Sequence, residues 1–134
     1  MVVELITDDK ATGKVKEVFD EIREELGMVP NFFRALAGAD PDWLEINWKR
    51  WKLIMGRNRA LDRKTKELIA VAVSIVNQCR YCSLAHESMA LMEGASRQEL
   101  IELKEVVELF SSFNKIADSL EVPCDVTPEM VSSA

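Results

Sequence analysis

Four of the five glycines fall just after segments whose apolar residues recur with a helical period. That punctuation narrows the fold more than any other feature, because glycine supplies the backbone freedom on which helices commonly end. From Asp8 to Leu26 the apolar positions Ala11, Val15, Val18, Phe19, Ile22 and Leu26 make one helical face, and Gly27 stops it. "PNFFRALAG" predicts a short helix ending at Gly38. "GADPDWLEINWKRWKLIMG" opens on Asp40 as N-cap with Pro41 in the first turn, and closes at Gly56.

The second half of the chain repeats this grammar. Asp62 caps "LDRKTKELIAVAVSIVNQC", which is apolar on nearly every side after Glu67 and is expected to be the central buried helix. Its β-branched residues also suit a strand, but the cap and the uninterrupted length favour a helix. A further helix is expected from about Arg80 to Glu93, ended by Gly94. "SRQE", Ser96 to Glu99, is a capping box opening a long helix to about Leu120. Pro123 and Pro128 break the tail into turns or one short helix. The expectation is an all-α bundle of about six helices with short connections. It forms a single domain over 1–134, with its core at about 10–120 and a tail at 121–134.

A net charge of −6 argues against a nucleic-acid footprint or a basic membrane-binding face. The longest apolar run, Leu68 to Val76, is far short of the roughly 20 residues of a membrane helix. The N-terminus lacks the basic and apolar regions of a signal peptide, so a cytoplasmic protein is expected. Three cysteines do not make a secreted disulfide framework.

The chemistry concentrates in "NQCRYCSLAHESMA", Asn77 to Ala90, which holds two of the three cysteines and the only histidine. Cys79 and Cys82 are i, i+3 on a helix, about 5 Å apart at Cα and within disulfide reach. At the start of that helix, free N–H groups and the dipole favour a thiolate by about 0.3–1 kcal/mol, and Arg80 adds to it. His86, four residues after Cys82, shares its face and can take a thiol proton. Glu67 lies on the preceding helix. If the chain turns back near Asn77, Glu67 lies ~15 Å and His86 ~10 Å from the turn, at a similar level. The carboxylate then orients His86 or accepts its proton; the alternative is a solvated first-turn glutamate. Tyr81, between the cysteines, either bonds to this relay or packs, and packing is the safer expectation.

Two alternatives use the same residues. A zinc site would take Cys79, Cys82 and His86 with Cys124 or Glu67, but three ligands crowded onto one helical turn fit a tetrahedral ion poorly. A dithiol–disulfide oxidoreductase would need only the cysteine pair. The stripe Leu44, Trp48, Trp51, Met55, with Trp43 beside it, suits core packing or a subunit interface. Met89 and Met92 are expected in the core or in a lid.

With Glu67, the 12-position step to Cys79, "CRYC", His86 and "EGASRQEL", the chain resembles the AhpD-like alkylhydroperoxidases of the carboxymuconolactone decarboxylase superfamily. "GMVPNFFRALA" and "ADPDWLEINWKRWKLIM" are similar to this group as well. The resemblance implies an AhpD-like all-α fold, a homotrimer or hexamer, and a thiol-based peroxidase cycle without a cofactor or metal. It implies Cys82 as the peroxidatic thiol and Cys79 as the resolving thiol that closes the disulfide. Glu67 and His86 become the proton relay, a small hydroperoxide the substrate and an external dithiol the reductant. Tyr81 stands where the best-known members carry a second histidine. The decarboxylase branch generally lacks the cysteine pair, which makes decarboxylation the inferior expectation.

Overall fold

The computed structural model describes residues 2–132, and all regular structure among them is helical. A 3₁₀ turn at Asp8–Lys10 precedes α1 (Gly13–Leu26), α2 (Asn31–Ala39), α3 (Pro41–Ile54), α4 (Arg63–Val76), α5 (Arg80–Met92), α6 (Arg97–Ser119) and α7 (Pro128–Ser132). No helix among the described residues is long and apolar enough to cross a membrane. Contacts group the chain into two compact units, Met1–Asp62 and Arg63–Ala134.

The first unit has an aromatic core. Phe19 and Ile22 of α1, Phe33 and Leu36 of α2, and Leu44 and Trp48 of α3 are buried. The Trp48 ring stands edge-on to Phe33 at 5.4 Å and stacks on Trp51 at 5.2 Å. Leu44, Trp48 and the half-buried Trp51 therefore serve as core, whereas Trp43 is exposed. The helix expected from Asp8 starts at Gly13 instead. Ala11 and Thr12 are extended and Gly13 takes φ +53°, so the apolar period runs through a break in the backbone.

The second unit is a helical hairpin, α4 and α5, with α6 packed along α4. The turn between α4 and α5 is a Schellman motif. The Gln78 N–H donates to the Ile75 carbonyl, the Cys79 N–H donates to the Ser74 carbonyl, and Gln78 takes φ +59°. A glutamine thus occupies the left-handed position that usually falls to glycine. Gly94 ends α5 with the same pattern, at φ +98°. Ser96 and Glu99 bond reciprocally as a capping box at the start of α6, and Lys64 of α4 meets Glu99 at 2.8 Å.

The expectation that α4 is buried on nearly every side is corrected. Its buried stripe is Glu67, Val71 and Ser74, while Ile69, Val73 and Val76 are about half exposed. The core of this unit is small, with Ala90, Ala95 and Leu100 packed on Leu68. Beyond Val107 every residue of α6 is exposed.

Lys64, together with the Ser96 N–H, holds the Glu99 carboxyl below its ordinary 4.5. A carboxyl whose folded pKa is depressed adds stability above its unfolded pKa and loses it as pH falls through the folded value. Glu99→Gln is therefore expected to lower the urea midpoint at pH 7, with the gap to the parent narrowing below about pH 4.5. A gap that stays constant from pH 7 to pH 3 would count against this linkage.

Candidate active site

The three-residue turn at Asn77–Cys79 makes α4 and α5 antiparallel neighbours, and this sets the level of every side chain between them. Glu67, in the second turn of α4, and His86, in the middle of α5, meet across the hairpin. His86 Nδ1 lies 2.6 Å from Glu67 Oε2. Glu67 is 3% exposed, the only carboxylate among the buried residues of the described chain. A carboxylate in its ionised form only accepts hydrogen bonds, and against it the imidazole donates from Nδ1–H and keeps Nε2 open. A carboxylate taken from water requires such a charge-assisted partner. The juxtaposition expected from counting residues along two antiparallel rods is present.

Cys79 ends one element and begins the next. Its N–H closes the Schellman motif of α4, and its side chain is the N-cap of α5, with Sγ accepting from the Cys82 N–H at 3.3 Å. Ser83 N–H and Oγ both donate to the Cys79 carbonyl, each at 2.9 Å. Cys79 and Cys82 form a disulfide with Cα atoms 5.3 Å apart, the separation expected for i, i+3 on a helix. Both half-cystines are partly buried, and His86 follows Cys82 by one turn.

Tyr81 is 46% exposed, so its ring is not packed away. Cys124 is free and exposed in the segment after α6, its Sγ 3.3 Å from the Val126 carbonyl. Among the described residues no group of three or more His, Cys, Asp or Glu side chains is placed to hold a metal ion. Met92 is largely exposed and Met89 half-buried.

Sequence reasoning missed the surroundings of the disulfide. A cleft of about 370 Å³ opens beside Cys79, walled by Ile75, Leu84, Arg80, Glu87 and Lys104. Lys104, from α6, is paired with Glu87 of α5 at 2.5 Å. Only the packing of α6 brings Lys104 here. Ile75 and Leu84 carried a signal, each lying within five residues of a cysteine on the hairpin.

The model of the carboxymuconolactone decarboxylase family matches residues 41–123. Over 69 residues the chain is 49% identical to a Paracoccus denitrificans protein named as uncharacterized protein 4 in the cox locus, covering 52% of this chain and 58% of that one. It is 32% identical over 94 residues to an alkyl hydroperoxide reductase of Mycobacterium tuberculosis, covering 69% of this chain and 26% of that one. The chain thus spans less than two thirds of these curated relatives. Among solved structures, the alkylhydroperoxidase AhpD core from Rhodospirillum rubrum superposes with a TM-score of 0.88 at 33% identity, covering 93% of this chain and 94% of that one.

The disulfide and the free tail thiol predict a labelling count. Denatured without reductant, the oxidised chain is expected to take one maleimide, on Cys124. After reduction it takes three. Intact mass checks both states, and three labels on the air-oxidised protein would refute the pairing.

Proposed function

The chain belongs to the carboxymuconolactone decarboxylase family, and from that membership we propose a thiol-dependent peroxidase that reduces small hydroperoxides through Cys82 and Cys79. The observation that carries this reading is the buried Glu67–His86 hydrogen bond, one helical turn from Cys82 of the Cys79–Cys82 pair. The pair supplies electrons and the buried dyad moves protons. The similarity to alkyl hydroperoxide reductases and to the AhpD core supports the same assignment.

The cycle has three steps. His86, held by Glu67, takes the Cys82 proton, and the thiolate attacks the distal peroxide oxygen. The O–O bond breaks, Cys82 becomes a sulfenic acid, and the alkoxide leaves as an alcohol with the proton from His86. The Cys79 sulfur then attacks the Cys82 sulfur, the Cys82 S–OH bond breaks, and the departing hydroxide takes the proton given up by the Cys79 thiol and leaves as water, closing the disulfide. An external dithiol, itself oxidised to a disulfide, returns the pair to two thiols. The N-cap position of Cys79 favours its thiolate through the Cys82 N–H and the positive end of α5. The Glu67 carboxylate stabilises the imidazolium formed when His86 takes the proton.

We assign a homo-oligomer to the working protein. The uncovered apolar stripe Ile69, Val73 and Val76 of α4 supports it, as do Phe110, Phe113 and Ile116 on the exposed half of α6. Light scattering is expected to give at least three chain masses, and Phe110→Glu with Phe113→Glu to lower that number. A monomeric parent would overturn the assignment.

Cys82→Ser is expected to abolish hydroperoxide consumption, and Cys79→Ser to leave a sulfenic acid that dimedone traps on Cys82. Glu67→Gln keeps the shape but removes the carboxylate, with an expected loss of about 100-fold or more in turnover. Full turnover in Cys82→Ser would rule the mechanism out.

A further inference from the structure

We propose a second ligand site, in the first unit: a groove between α2 and α3 that takes a small aryl carboxylate, with its ring among Phe32, Phe33 and Trp51 and its carboxylate on Arg50. The proposal goes beyond the thiol chemistry, since none of these residues belongs to the α4–α5 hairpin.

The walls set the body of the ligand. Phe32, Phe33, Trp51, Ile54 and Met55 line the groove, and its volume of about 220 Å³ lies below the ~300 Å³ at which sites for drug-sized molecules begin. It has room for one ring and not for an extended chain. The aromatic walls are held in place by other rings. Phe33 is buried and meets Phe32 edge-on at 5.2 Å, and Trp51 stacks on the buried Trp48 at 5.2 Å. Side chains already fixed lose little freedom when a further ring joins them, and contacts between rings add to what area burial supplies. The Met55 thioether is a favourable neighbour for a ring as well.

Arg50 sets the head of the ligand. Asn47 Nδ2 donates to the Trp43 carbonyl at 2.9 Å, and Asn47 Oδ1 accepts from Arg50 Nη1 at 3.0 Å. The guanidinium is thus held at the groove, and among the described residues it meets no carboxylate. The acidic side chains of the helices packed here are engaged elsewhere or lie outside the groove. Asp42 and Glu45 of α3 pair with Lys14, while Asp20 and Glu21 of α1 pair with Lys16 and Lys52. Glu17, Glu24 and Glu25 of α1 are exposed and line no part of the groove. α2 carries no acidic residue, and its Arg34 is turned to Asp8. A planar carboxylate matches the fork of a guanidinium. Because Arg50 is exposed, this pairing supplies selectivity more than affinity.

The test uses the full chain labelled with nitrogen-15 at tryptophan, whose three indole N–H signals are assigned through Trp43→Phe and Trp51→Phe. Benzoate is titrated at low salt. The Trp51 signal is expected to move most, with half-saturation at about 1 mM, as suits a small, open groove. No saturable movement up to about 20 mM, or movement led by the exposed Trp43, overturns the site. Benzyl alcohol has nearly the same size without the charge and is expected to bind about fivefold more weakly, with benzylammonium weaker still. In Arg50→Gln, benzoate and benzyl alcohol are expected to bind alike, and an undiminished preference for benzoate overturns the role of Arg50. If a second copy of the chain fills the groove instead, the Trp51 signal moves with protein concentration in the absence of benzoate, and that result also overturns the proposal. Cys82→Ser is expected to bind benzoate as the parent does, so the site is tested separately from peroxide turnover.

Discussion

The second unit is organised around a carboxylate out of water. Glu67 lies at 3% exposure in a core made otherwise of Val71, Ser74 and a few small or aliphatic residues. Leaving such a group ionised and unpaired costs far more than one apolar contact returns. The hairpin resolves this by bringing the single imidazole of the chain to 2.6 Å. A slip of one residue in either helix rotates its side chain by about 100° and separates the two. The same bond therefore penalises wrong registers.

The register is fixed at the other end by the turn. The Schellman motif takes three residues to reverse the chain, and its last N–H belongs to Cys79. Because Cys79 also caps α5, one residue closes α4, opens α5 and carries one sulfur of the disulfide. Gln78 accepts a left-handed conformation there, which costs a non-glycine residue about 1–2 kcal/mol. The resulting compact reversal sets the sulfur pair and the Glu67–His86 pair on one hairpin. The disulfide and the Glu67–His86 pair thus share a frame of two helices.

Much of this was legible in the sequence, because caps and spacing are local. Asp40 with Pro41, the Ser96–Glu99 box and Gly94 give their helix ends directly. The meeting of Glu67 and His86 follows from counting along two rods joined by a short turn. The first helix was placed too early because periodicity registers side chains and not the extended backbone at Ala11 and Thr12. The cleft was illegible for another reason. Lys104 reaches it only through the packing of α6 on α4, and no local pattern encodes that contact.

The error about α4 has a physical cause. A helix apolar on every side tells how much surface wants to leave water, not which neighbour will take it. Within this chain α4 turns Glu67, Val71 and Ser74 inward and leaves Ile69, Val73 and Val76 half exposed. The more polar stripe is the buried one. Burial by hydrophobicity alone would favour the opposite rotation of the helix. The rotation observed is the one that gives Glu67 its imidazole. The face that pairs Glu67 with His86 is thus the one turned inward, and a sequence reading that ranks faces by hydrophobicity inverts that order.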